Sequence, residues 1–446
     1  MIDFRFVPLL LAVSFLMTIP RLPAAESLHD LVAAQLTSDY PSLLALYQHL
    51  HQNPELSLAE EKTSAKVAAE LRSVGCEVTE KFGGTGVVGV LRNGDGPTLL
   101  IRADLDGLPV AEETNLPYAS KARATTPTGV EVPVMHACGH DIHMTTLVGT
   151  ARQLAALRSH WSGTVIFVGQ PAEETGTGAR NLLAAGLYQK FGIPDYAVAL
   201  HDSATLPAGT VGIRDGYVMA NVDSVDITVR GRGGHGAYPH NTIDPIVLAA
   251  RIVVALQSIV SRETSPLDPN VVTVGSIHGG TKHNIIPDEV KLQLTLRSYS
   301  DHVRTHTLEA VRRICRGEAL AAGVPEDLMP VIKVKEDFTP ATYNDPALTT
   351  RVRNALTAWL GTERVQSIEP EMAGEDFGRF GRTDEKVPVC LFRIGAADPA
   401  LVAESRRTGT PLPSLHSSKF APLPEPTIKT GVTSLTASAL DLLGRH

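Results

Sequence analysis

Apolar residues recur at helical spacing from Leu28 to Val74, and the last of them, in TSAKVAAELRSVG (63–75), stop on Gly75. The period then changes. CEVTEKF (76–82), GVVGVLRNG (86–94) and PTLLIRADLDG (97–107) read as strands punctuated by Gly and Asp. MTTLVGTARQLAAL (144–157) is helical, GTVIFVGQPAEET (163–175) is a buried strand ending at two carboxylates, and ARNLLAAGLY (179–188) is helical again. YAVALHD (196–202) is an apolar strand that ends at a histidine. Strands alternating with helices predict a mostly parallel sheet covered on both faces. In such sheets, sites form where strands end.

Near residue 220 the texture changes. VDSVDITVRGRG (222–233) alternates like a half-exposed strand, and DPIVLAARIVVALQSIVSRE (244–263) is a long helix. NVVTVGSIHGG (270–280) and EVKLQLTLRSYS (289–300) are strands, 301–323 is a helix with charged faces, and MPVIKVKED (329–337) is a last strand. That β-α-β-β-α-β order is the ferredoxin-like sandwich. After it, ALTTRVRNALTAWLG (347–361) is helical, PVCLFRIGA (388–396) is a core strand, and the last residues form an amphipathic helix. The chain therefore reads as one α/β catalytic domain, residues 26–220 plus 336–446, interrupted by an inserted α+β domain at 221–335.

The N-terminus stands apart. Arg5, an apolar run from Phe6 to Ile19, and small residues at Pro23, Ala24 and Ala25 match a secretory signal peptide over 1–25. That predicts an exported protein, periplasmic or secreted; an uncleaved N-terminal anchor is the alternative. No later stretch reads as approaching a spanning length, so no membrane span is expected in the mature chain. Net charge is −8 without long runs, which argues against a nucleic-acid partner. Four cysteines in 446 residues do not make a disulfide scaffold, and their spacing argues for no pairing.

One of the four has unusual neighbours. MHACGHDIHM (135–144) places Cys138 among His136, His140, Asp141 and His143. Glu173 and Glu174 end one strand, His201 ends another, and His416 lies far down the chain in SLHSSKF. Thiolate, imidazole and carboxylate together suit zinc and similar transition metals. Two ions about 3.5–4 Å apart clamp a hydrolytic water and polarise a carbonyl. Adjacent carboxylates at a strand end splay, so one of the Glu pair can bind metal while the other serves as general base. An ordinary solvated Glu-Glu pair is the bland alternative, and His136 and His143 read as groups that orient their neighbours.

Seven stretches occur in an order that resembles a known family: RADLDGLPVAEET (102–114), MHACGHDIHM, QPAEETGTGA (170–179), GRGGHGAYPH (231–240), GGTKHNIIPDEV (279–290), MAGEDF (372–377) and LHSSKF (415–420). They are similar to the amidohydrolase branch of the aminoacylase/carboxypeptidase-G type metallopeptidases, which includes hippurate hydrolases and indole-acetyl-amino acid hydrolases. The resemblance implies a di-metal peptidase-like domain with an inserted ferredoxin-like lid or dimerisation domain. It implies Cys138, His140, Glu174, His201 and His416 as ligands of two divalent ions (zinc, manganese, cobalt or nickel), with Asp104 and Asp141 behind them. Glu173 would be the general base. His235 would support the oxyanion from the partner subunit of a homodimer, Asn284 would reach substrate, and Arg297 would hold its carboxylate. The implied reaction is hydrolysis of an N-acyl amino acid to a carboxylic acid and a free amino acid. Alternatives are an exopeptidase acting on short peptides, a non-catalytic metal- or ligand-binding protein, and an exported structural protein with Cys138 in a disulfide. The sequence departs from the pattern after His201, where HDSATLPAG puts Asp202 and Ser203 near the expected pocket, a change that bears on acyl-group preference.

Overall fold

A computed structural model describes residues 1–2 and 27–444. The rest of the leader read at 1–25 lies outside the described residues. The helical pattern over 28–74 is two helices, Leu28–Gln52 and Glu61–Ser73. Ser27 caps the first, its hydroxyl accepting from the Asp30 N–H, and the chain leaves that helix at Asn53, ahead of Pro54.

The main sheet has eight strands in the spatial order Glu77–Phe82, Gly86–Asn93, Gly163–Gln170, Thr98–Asp104, Tyr196–Pro207, Val389–Ala397, Val211–Ile213, Val365–Ser367. The four central strands, from Gly163–Gln170 to Val389–Ala397, run parallel. Alternation along them divides two cores. Leu99, Ile101, Val165, Phe167, Val198, Leu200 and Phe392 face the helices Leu28–Gln52, His140–Ala156 and Pro424–Leu443. Leu100, Ile166, Val168, Ala197, Ala199 and Leu391 face the short helices Gly178–Ala184 and Leu187–Phe191 and the turn Asp376–Gly381. Each fully buried Leu or Phe contributes roughly 1.5–3 kcal/mol. The strand carrying His201 does not stop at the histidine but runs on to Pro207.

The last helix corrects an expectation. Pro424–Leu443 is buried on most sides, not amphipathic, because it runs between the helices Leu28–Gln52, His140–Ala156 and Pro346–Leu360. Its Thr, Ser, Ala and Gly residues let those neighbours approach. At the closest crossing Gly149 leaves room for the Val432 side chain, which any Cβ there would strike.

Residues 223–334 build a second sheet, in the order Asn270–Gly279, Glu289–Ser298, Asp223–Arg230, Val331–Val334, all antiparallel. Helices Pro245–Ser258 and Asp301–Ala321 pack on it around a core of their own. The reading that no later stretch approaches a spanning length needs correcting. Pro245–Glu263 is 19 residues long with mean hydropathy 1.5, long and apolar enough by that measure. Leu248, Ile252, Leu256 and Ile259 bury one side of it against the sheet, while Val247, Val254 and Val260 are exposed on the other.

Candidate active site

The chemistry-bearing side chains gather at the carboxyl ends of the parallel strands. The Thr98–Asp104 strand delivers Asp104 and, just beyond, Asp106. The Gly163–Gln170 strand delivers Glu173 and Glu174, turned by Ala172, whose φ is +53°. His201 lies within its strand, and Cys138 directly precedes the helix that His140 begins. Gly139 between them sits at φ +74°, and a Cβ there would run into the Asp202 carboxylate, so the tight turn needs glycine. His416 arrives on a loop, held in the left-handed region at φ +66° with its N–H bonded to the Ala137 carbonyl.

The five ligand candidates converge although they span 278 positions. Cys138 Sγ lies 3.2 Å from His416 Nε2 and 3.5 Å from His201 Nε2. Glu174 Oε1 is 3.4 Å from His416 Nε2 and 3.8 Å from His140 Nε2, and Glu173 Oε2 is 4.0 Å from the same His140 nitrogen. Donor atoms group as Cys138, His140 and His201, as Cys138, Glu174 and His416, and as His140, Glu173 and Glu174. The buried His140 Nε2 and Glu174 Oε1 have no hydrogen-bond partner among the described residues. Leaving such atoms unpaired costs about 1–3 kcal/mol each, and a cation between them removes that cost. Overlapping donor groups that share Cys138 fit two divalent ions better than one. All four cysteines are free thiols, against the disulfide alternative.

Supporting groups fix each donor. His140 Nδ1 bonds the Asp106 carbonyl and His201 Nδ1 bonds the Asp202 carbonyl, both at 2.8 Å, which turns each Nε2 inward. Asp106 also accepts from the Glu173 N–H, the Glu174 N–H and the Ser57 hydroxyl. His143 bridges Asp104 at 2.6 Å and Asp202 at 3.3 Å. Asp141 turns away from the cluster to His51, 2.7 Å away, and His136 is buried with no partner on either nitrogen. Burial, then repulsion from Glu375 and Glu174, lifts the Glu173 carboxyl well above its ordinary range. Burial lowers His201, and the positive charges of Arg393 and His143 lower it further.

A cavity of roughly 630 Å³ opens over the cluster, lined by Cys138, Glu173, Glu174, His201 and His416 on one side and by Arg297 from the inserted unit on the other. His235 and Asn284 stand beside one another where the exposed segments Gly234–His235 and Ile285–Ile286 pair antiparallel, outside this cavity's lining. Asp202 and Ser203, expected near the pocket, do not line it; the Asp202 carboxylate faces His143 and His201. Sequence reasoning missed Asp106 and Arg393. The first sits two places beyond Asp104 in RADLDG, and the second is a lone charge inside the apolar run VCLFRIGA.

A parallel sheet at whose strand ends a cysteine, three histidines and two glutamates converge beside one cavity defines a metal-dependent hydrolase. The model of peptidase family M20/M25/M40 matches residues 100–406, and the chain belongs to that family. It is 37% identical over 393 residues to thermostable carboxypeptidase 2 of Saccharolobus solfataricus, covering 87% of this chain and 92% of that protein. It is 38% identical over 337 residues to the hippurate hydrolase of Campylobacter jejuni, covering 74% and 82%. A dinuclear metal-binding peptidase of the same family from Bacillus subtilis superposes with a TM-score of 0.73 at 30% identity, covering 91% of this chain and 99% of that one. The protein is thus a metal-dependent amidohydrolase or peptidase of a family that binds paired metal ions.

Proposed function

We propose that the chain hydrolyses N-acyl amino acids to a carboxylic acid and a free amino acid, with Cys138, His140, Glu174, His201 and His416 holding two divalent ions. The observation that carries this reading is the Arg297 guanidinium in the same cavity as the ligand cluster, without a carboxylate partner among the described residues. It is half-buried, bonds only Thr295 through Nε, and has burial alone acting on it. A cation kept without a carboxylate suits the carboxylate of a substrate. The ions supply Lewis acidity and a nucleophile at neutral pH. Glu173 takes the proton of the attacking water and returns it to the leaving nitrogen. Asp106 holds the Glu173 and Glu174 amides in place, so the base keeps its aim. Zinc, manganese, cobalt and nickel all suit this donor set.

His235 and Asn284 are exposed together on the inserted unit and away from this chain's own cavity, which supports a role for both at the cavity of a second copy. The exposed valines of the Pro245–Glu263 helix and the open Asn270–Gly279 edge strand support a homodimer through that unit. The apolar run at Phe6–Ile19 supports export.

Carboxypeptidase action on short peptides is the second reading, favoured by the 37% identity to a carboxypeptidase. Metal content and amino-acid release from a panel of N-acyl amino acids and dipeptides, before and after chelation, decide between them. About two ions per chain and chelator-sensitive cleavage that favours the acyl conjugates are expected. Preference for dipeptides would overturn the first reading, and absence of restorable metal would overturn both.

A further inference from the structure

Two arginines are buried on the same face of the main sheet, and they are built differently. Arg102 is saturated: Nε bonds Gln170, Nη1 bonds Asp104, and Nη2 bonds Glu375 and Asp376. It is a structural cation with its charge fully answered. Arg393 lies in register with His201 on the neighbouring strand and is only 2% exposed. Its Nε has no partner among the described residues, and Nη1 has only a long 3.4 Å contact to the Asp202 carbonyl. Its one carboxylate is Glu371, 2.7 Å from Nη2, and that side chain is 48% exposed.

Arg393 and Glu371 both line the cavity that holds the ligand cluster and Arg297. On its own face of the sheet, Nη2 also meets the thioether of the buried Met219, 3.3 Å away, and the buried Leu391 lies two places along the strand. A buried cation needs an anion, and the one carboxylate bonded to it among the described residues sits on a half-exposed side chain. Glu371 therefore fills the place of a carboxylate that arrives with the substrate. We infer that Arg393 is a second carboxylate anchor, and that the amides this chain cleaves best carry two carboxylates. Arg297 takes one and Arg393 the other. The inference rests on the amide-hydrolase reading above and narrows its substrate class. The second carboxylate belongs either to an acidic amino-acid side chain or to a dicarboxylic acyl group.

The test compares N-benzoylglycine with N-benzoylglutamate and N-succinylglycine as substrates of the metal-loaded full chain. Binding of the corresponding secondary amines, in which methylene replaces the amide carbonyl, is followed in parallel by calorimetry. The native chain is expected to prefer one of the two dianions, and which one identifies the source of the second carboxylate. Arg393→Met is expected to lower the dianion-to-monoanion ratio by about 30-fold, the scale of a lost charge-assisted hydrogen bond. Glu371→Gln, on a half-exposed side chain, removes the competing carboxylate and is expected to tighten dianion binding several-fold, a result available even where Arg393→Met does not fold. No dianion preference in the native chain, or equal losses for all three substrates in Arg393→Met, overturns the inference. Cleavage without a dianion preference leaves the amide-hydrolase reading standing alone. Arg393-dependent dianion binding without cleavage of any amide does the reverse.

Discussion

Glu173 and Cys138 line the same cavity but have separable jobs. Glu173→Gln is expected to lower kcat by roughly 10²–10⁴-fold, the range for a lost general base, while metal content stays at the native level. Cys138→Ser is expected to lose metal instead, read by elemental analysis after dialysis. Away from the cavity, His51 is held between Asp141 at 2.7 Å and Glu112 at 3.0 Å. Burial opposes its charge, but the two carboxylates outweigh it and raise its pKa to about 10. A raised folded-state pKa stabilises fully below the free imidazole value of about 6.5 and is lost as pH rises through about 10. The denaturation midpoint of the native chain should therefore fall between pH 7 and 10 more steeply than that of His51→Gln. Parallel curves would count against the assignment. Of the residues that the motifs advertise, Cys138, His140, Glu173, Glu174, His201 and His416 come together, whereas His235 and Asn284 stand apart from them on the second sheet's unit. Asp106, His51 and Arg393 were not legible, because each acts through a partner brought from elsewhere in the chain, and spacing does not encode that.

Among the elements, period and punctuation were enough to place most strands and helices. The parallel core was legible because its strands are continuous apolar runs ending in polar residues. The inserted unit was legible because Asp223–Arg230 and Glu289–Ser298 alternate buried and open positions. The final helix was misread for a physical reason. Its small polar residues mimic a solvent face, whereas here they let three helices close in. Gly149→Val tests that packing. The added side chain meets Val432, and overpacking of this kind costs about 1–3 kcal/mol, to be read as a lowered urea midpoint with an unchanged slope.

For the whole molecule, the inserted unit presents valines to solvent while the cavity it overhangs does not include its own His235. The homodimer proposed above would account for both. Val254, 73% exposed, is the probe. Val254→Asp is expected to shift the protein from dimer to monomer in sedimentation and to lower kcat together with it; a monomer with native turnover would sink the crossed-histidine reading. The spread of the donors along the chain also fixes when the centre can exist. Cys138, His140, Glu174 and His201 emerge first, the whole inserted unit follows, and His416 comes only near the end. A growing chain therefore holds an incomplete, weaker trap for metal through most of its synthesis. Its final affinity is acquired only once the two separated halves of the catalytic unit have docked, so the ions that occupy it are drawn from whichever compartment the chain folds in.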